Sequence, residues 1–266
     1  MPGPSGAPGS TLAPNATLAP RPESRPLDLP LFPLHTVLCP GASLPLHIFE
    51  ERYRTMIRRC VERSIPFGVV LIREGREAGS ADLSLAAVGT MASVRTMTLN
   101  GDGTFDIVSV GTRRFELLSV DAEREPYLVG EVRELDEAIG DEARATELVD
   151  RVSSRFVRYV ELVGREEDEE DGASAATEDD EDDEGDEASA ERDAGFRVTN
   201  DPTTLSFLLC AILAIEPTSR QELLEAPTAE VRLERLATLL EREILLLERG
   251  LEPWSPDRRA RRVALN

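Results

Sequence analysis

Between Leu27 and Arg54 the chain carries apolar runs that cannot become helix. Leu29 to Leu34 and Leu44 to Phe49 are interrupted and flanked by Pro30, Pro33, Pro40, Gly41 and Pro45. Each proline removes a backbone donor and collides with the preceding helical turn, so no helix can begin before Glu50. The two runs read as short strands bent through a Pro-Gly turn, and the rest of the chain is read around them.

From Glu50 to Arg63, Tyr53, Met56, Ile57, Cys60 and Val61 fall on one helical stripe, with Arg52, Arg58, Arg59 and Arg63 outside it and Ile65-Pro66 as a stop. Phe67 to Ile72 is a strand of the buried type, followed by a polar loop from Arg73 to Ala81. Leu83 to Leu99 alternates as a long strand with a bend at Gly89, and Asn100-Gly101-Asp102-Gly103 is a hairpin signal. Thr104 to Val110 returns antiparallel, Gly111 turns the chain into another strand, and a last strand starts at Pro126. About six short strands with one early helix predict a small mixed β-barrel over 27–139, because closure removes unpaired edges.

At Asp141 the period changes. Ala145, Leu148, Val149, Val152, Phe156, Val160 and Val163 mark one face of a helix predicted to end at Gly164. Asp201-Pro202 is a helix start, and the nearly uniform apolar run from Leu205 to Ile215 predicts a central helix. Thr218 to Gln221 reads as a capping box, and Thr228 caps a last helix striped by Leu233, Leu236, Leu240, Ile244 and Leu247 and stopped by Gly250. The fold class is thus α+β: a barrel with an inserted helix, then a helical bundle over 140–250. A Pro/Gly-rich tail, 1–26, and an acidic insert, 164–195, lack the apolar residues to offset their ordering entropy and are expected to be disordered. A basic tail, 251–266, follows the bundle and contains Arg258, Arg259, Arg261 and Arg262.

Charge and composition exclude several functions. All 30 basic residues are arginine, so no phosphate-loop lysine, Ser-Lys dyad or lysine Schiff base is available. Between Glu166 and Asp193, 17 acidic residues face one arginine, so this segment carries −16 of the net −21. The remainder is mildly acidic, which disfavours nucleic acid as a partner. No run is long enough to span a bilayer, and a cytoplasmic location is expected. Cys39, Cys60 and Cys210 form no C-x-x-C pair and are expected to be reduced, partly buried thiols.

The order Leu29-Pro-Leu-Phe-Pro-Leu34, Pro40-Gly41, then Leu44-Pro-Leu-x-Ile-Phe-Glu-x-Arg-Tyr53 resembles the opening of the Lon protease N-terminal domain. The resemblance continues through Phe67-Gly-Val-Val-Leu71, Val88-Gly-Thr90, Gly111-x-x-Arg114-Phe115, Pro126-Tyr-Leu-Val129, Leu205-Ser-Phe-Leu208 and Arg220-Gln-x-Leu-Leu-Glu225 into the helix from Arg232 to Leu247. It implies a PUA-like barrel followed by a helical bundle. It also implies recognition of unfolded or damaged protein chains, here without the ATPase and protease parts. The acidic insert departs from it, standing where the family has a short helix-to-helix link, and is a candidate site for a basic partner.

Candidate sites follow from these residues. Phe32, Phe49, Tyr53 and Phe67 are candidates for an apolar groove holding an extended peptide, with Arg54 or Arg52 fixing its carbonyls or carboxylate. The alternative for these aromatics is ordinary core, and Glu50 with Arg54 reads as an intrahelical pair. His35, Cys39, His47 and Cys60 lack the ligand spacing of a metal site, and Ser43, Ser84 and Ser109 lack a nucleophile motif. No cofactor, no metal and no catalytic residue is therefore expected. The expected function is ATP-independent binding of exposed polypeptide segments, the alternative being RNA binding through the PUA-like barrel.

Overall fold

A computed structural model of the chain describes residues 25–74, 83–174 and 199–251, with backbone alone for 165–174. The expectations placed on the N-terminal tail, on the acidic insert beyond 174 and on the basic tail lie outside the described residues. The elements are β1 (Leu27–Leu34), β2 (Ser43–Ile48), α1 (Glu51–Arg63), β3 (Phe67–Glu74), β4 (Ser84–Leu85), β5 (Val88–Leu99), β6 (Phe105–Asp121), β7 (Val129–Glu134), α2 (Glu142–Ser174), α3 (Pro202–Ile212), α4 (Pro217–Leu224) and α5 (Ala229–Leu247). Among the described residues no helix is long and apolar enough to cross a membrane.

The sheet is mixed and mainly antiparallel, in the order β1-β7-β6-β5-β3-β4, with β2 added to β6. β1 also pairs with β3 in parallel, Leu31 to Leu34 against Gly68 to Leu71, so the hydrogen-bonded path returns to its first strand. The two opening strands are not a hairpin. β1 lies between β7 and β3, whereas β2 lies on β6, and the turn at Gly41 (φ 82°) carries the chain across.

Two strand boundaries differ from those expected. β6 runs unbroken through Gly111, because the missing side chain there serves close approach rather than a turn: a Cβ would lie 2.4 Å from the Cys39 carbonyl oxygen. The Leu83 to Leu99 run is divided, with Ser84–Leu85 pairing back on β3 and β5 starting at Val88. Gly89 still has a structural task, since a Cβ there would lie 2.4 Å from the Phe115 ring and 2.6 Å from the Val69 carbonyl oxygen.

Helix ends follow local chemistry where a cap exists. Ser64 takes the left-handed conformation that ends α1 (φ 53°). Asp201 accepts from the Thr204 amide at 2.7 Å and Thr228 from the Val231 amide at 3.2 Å, as their positions imply. The Thr218 capping box does not form. Glu216 takes the extended cap position and Pro217 the first helical one, which starts α4 a turn-fraction earlier. α2 does not stop at Gly164 but continues to Ser174. A Cβ at Gly164 would meet nothing, so this glycine costs only its backbone entropy, about 1 kcal/mol, and the glutamate-rich run after it holds no proline until after the helix. On its packed face Tyr159 is buried in place of Val160, which is half exposed.

The helices enclose a core of Leu148, Val152, Leu205, Leu209, Leu233, Leu236 and Leu240, into which the β1–β2 loop inserts Cys39. Its Sγ lies 2.8 Å from that of Cys210 on α3. A separate cluster of Val37, Val70, Leu71, Phe207 and Leu224 seals sheet to helices. α2 and α5 run parallel, as the pairs Arg144–Glu234 (3.2 Å) and Arg158–Glu248 (3.1 Å) record in register.

At the sheet–helix seam two arginines are buried together. Arg114 of β6 grips both carboxylate oxygens of Glu137, at 2.8 and 2.9 Å, and donates to the carbonyls of Leu224 (2.6 Å) and Ala226 (2.8 Å) at the end of α4. Arg232 of α5, fully buried, donates to Leu223 O (3.2 Å) and Ser206 Oγ (2.8 Å), lies 3.5 Å from Glu137, and sits with its guanidinium 3.7 Å from the Phe207 ring centre. Burial, and then the like charge of Arg114, pull its pKa down to about 10, so it remains charged at neutral pH. Removing one member of such a set leaves buried partners unsatisfied. Arg232→Ala is expected to lower the unfolding free energy by roughly 3–5 kcal/mol in urea denaturation, whereas Arg113→Ala, which breaks an exposed pair, should change it by less than about 1 kcal/mol.

Candidate functional site

The junction of β2 and α1 leaves a large aromatic outside the core. Ile48 points inward, so strand alternation sends Phe49 outward. A residue preceding a helix cap usually packs on the fourth helical position. That position is Arg54, whose guanidinium is drawn away to Gly103 O (2.9 Å) and to Glu51. Phe49 is left 65% exposed.

Facing it, Phe32 at the end of β1 stacks on Tyr53 of α1 with ring centres 4.2 Å apart and an interplanar angle of 12°. Burial raises the Tyr53 hydroxyl pKa, opposed by the nearby Arg52 charge. Arg52 lies over the Tyr53 ring at 4.8 Å and pairs with Glu50 at 2.6 Å. Phe32, Tyr53 and Phe49, with Leu34, Leu46 and Ile48, line a cavity of about 250 Å³. Two further lining residues, His35 and Ile72, are shared with a second cavity of about 580 Å³ against α4, lined also by Leu71, Arg73, Pro217 and Gln221. The two adjoining cavities, together the groove, reach from the β2–α1 junction to α4. β2 pairs only with β6, so among the described residues its other edge bears no strand, and its residues Leu46 to Ile48 line the groove.

Of the residues singled out by sequence, Phe32, Phe49 and Tyr53 meet in this groove, and Arg52 joins them. Phe67 does not line it; the ring is fully buried inside the sheet. Arg54 is committed to the β5–β6 hairpin, and the expected Glu50–Arg54 pair is replaced by Glu50–Arg52 and Glu51–Arg54. His35, Leu46, Ile72 and the α4 wall were not foreseen as lining; alternation along β2 signals Leu46, but nothing local signals α4. Of the histidines and cysteines considered as ligands, His35 and His47 both line the first cavity, but His47 bonds Asp106 at 2.7 Å, Cys39 meets Cys210, and Cys60 of α1 is buried in the core between that helix and the sheet. Hydrogen bonds from His47 and then Asn100 hold the Asp106 carboxyl pKa below its ordinary value. What the groove offers a ligand is apolar area, aromatic faces and a strand edge, with its arginines already paired: Arg52 to Glu50 and Arg73 to Glu225.

Comparison with known proteins finds the family described as the ATP-dependent protease La (LON) substrate-binding domain over residues 28–242. Lon protease of Flavobacterium johnsoniae is 30% identical over 142 residues, 52% of this chain and 17% of that protein. Lon protease 2 of Syntrophobacter fumaroxidans is 26% identical over 229 residues, 85% of this chain and 26% of that protein. The matched part of the chain thus spans only 17% and 26% of these two relatives' length. Among solved structures, a Lon N-terminal domain protein from Xanthomonas campestris aligns with a TM-score of 0.51 and 26% identity, covering 80% of this chain and 98% of that one. The N-terminal domain of Mycobacterium avium complex Lon protease aligns with a TM-score of 0.54 at 17% identity, covering 81% and 98%, which speaks to the fold.

The exposures of the two phenylalanines generate a direct contrast. Phe67→Ala is expected to cost about 3–5 kcal/mol of stability. Phe49→Ser should change it by less than about 0.5 kcal/mol, as read by parallel chemical denaturation.

Proposed function

Because the chain belongs to the ATP-dependent protease La (LON) substrate-binding domain family, we propose that it is a non-catalytic, ATP-independent module that binds exposed or unfolded segments of other proteins. The observation that carries this reading is Phe49, exposed at the mouth of a groove floored by the Phe32–Tyr53 stack. An apolar side chain of a client, seated against these rings, would leave water on both sides of the contact, and burial of one large apolar side chain contributes about 1.5–3 kcal/mol. The open edge of β2 supplies main-chain hydrogen bonds that do not depend on the client's sequence. That combination suits capture of many segments at modest affinity.

We read the strand path closed by β1 as the PUA-like small barrel of this family, with the bundle beyond residue 140, and a cytoplasmic role in protein quality control as the setting. The lysine-free composition supports the absence of ATP hydrolysis and peptide cleavage by this chain. RNA draws no support from a groove whose arginines are each tied to a carboxylate.

Fluorescence anisotropy with a labelled polypeptide, permanently unfolded by reduction and carboxymethylation, tests the proposal against the same protein in its native form. Preferential binding of the unfolded form is expected, unchanged by ATP and weakened about fivefold or more by Phe49→Ser, equivalent to about 1 kcal/mol. Equal binding of both forms, or indifference to Phe49→Ser, counts against it.

A further inference from the structure

We infer that Cys39 and Cys210 are a modification site at which hydrogen peroxide closes a disulfide between the β1–β2 loop and α3. Their Sγ atoms lie 2.8 Å apart, nearer than two unbonded sulfurs ordinarily approach, and both side chains are at most 1% exposed. They come from opposite sides of the sheet–helix seam, 171 positions apart in the chain.

Both sulfurs are held by anchored backbone. The loop is fixed by Thr90 Oγ1 donating to Leu38 O (2.6 Å), by Ala42 N donating to Cys39 O (3.1 Å), and by Gly111, whose Cβ-free face lets the Cys39 carbonyl close in. On the other side Arg220 ties the end of α3 by donating to Cys210 O (3.0 Å) and Leu213 O (2.7 Å). Among the described residues no second thiol faces Cys60. Its Sγ donates to Pro66 O at 4.0 Å, and burial pushes its thiol up to about 11.

The step balances with peroxide as the oxidant. One thiol loses its proton and its sulfur attacks a peroxide oxygen; the O–O bond breaks, hydroxide leaves and is protonated to water, and a sulfenic acid remains. The second sulfur then attacks the sulfenic sulfur, the S–O bond breaks, and its proton leaves with the departing hydroxide as a second water. Two thiols are oxidised by two electrons in all, and one peroxide is reduced to two waters. The first step is slow, because the contact with Cys39 and then burial push the Cys210 thiol up, and only a small reagent or a locally opened state gives access. Burial also makes the second step selective, since the sulfenic acid forms beside its partner and away from other reductants.

The test uses the full chain carrying Cys60→Ala, in which Cys39 and Cys210 are the remaining thiols. After exposure to millimolar peroxide, alkylation in denaturant and intact-mass measurement, the expected result is loss of both alkylation sites and a mass about 2 Da lower, both reversed by dithiothreitol. The oxidised form should also unfold at a temperature higher by several degrees, since the bond closes a long loop. Cys39→Ala or, should that variant fold poorly, Cys210→Ala is expected to give oxygen adducts or intermolecular dimers on the surviving thiol. Two alkylatable thiols persisting under conditions that oxidise the unfolded chain, or dithiothreitol-resistant oxygen adducts on the folded pair, would overturn the inference.

Discussion

Two guanidinium groups sharing one carboxylate, sealed against a phenylalanine, decide how the sheet meets the helices. Bringing Arg114 and Arg232 out of water is costly, and their mutual repulsion adds to it. Glu137 offsets that repulsion, the Phe207 ring receives Arg232, and the last carbonyls of α4 receive Arg114 where the helix end is partially negative. Apolar side chains would fill the same volume but would not dictate one orientation. Here each donor has a fixed acceptor, so β6, the β7–α2 connection, α4 and α5 can meet in one register. The groove inherits that register, because one wall is the end of β3 and the other is α4.

The groove's own chemistry is economical. Arg52 and Arg73 are each held by a neighbouring carboxylate, so an incoming chain meets no strong uncompensated charge on those side chains. Discrimination between clients then falls to shape and apolar content, which suits the proposed capture of segments whose shared property is exposure. A recognition site for one defined sequence would instead leave a buried charge waiting for its counterpart.

Much of the fold was legible because it rests on local stereochemistry. The prolines at 30, 33, 40 and 45 forced strands, and Asp201 and Thr228 announced helices through groups that satisfy their own amides. The errors arose where distant residues overrode local signals. Gly111 looks like a turn until Cys39 is seen pressing on it, and the Thr218 box loses to Glu216-Pro217. Gly164 looks like a terminator, yet it sits in open space with nothing to enforce an end. Arg232 stands one turn before Leu236, on the flank of the apolar stripe, where its charge alone suggests solvent, and only the convergence of Ser206, Leu223 and Glu137 makes its burial possible. The site was legible in the same measure. Phe32, Phe49 and Phe67 all stand in apolar runs, and although Ile48 facing inward signals that Phe49 turns out, no local pattern tells that Phe32 in β1 lines the groove while Phe67 at the start of β3 does not.

The pairing of β1 with β7 has a consequence for biosynthesis. Leu27 to Pro30 leave the ribosome about a hundred residues before the strand they lie against, Val129 to Val132, which at typical elongation rates is a wait of roughly 5 to 20 s. During that interval a nascent apolar strand has no native neighbour on that side. The two prolines within it each withhold an amide from any stray β-ladder. The residues that prevent the segment from coiling thus also shield it from adventitious pairing while the chain is still growing.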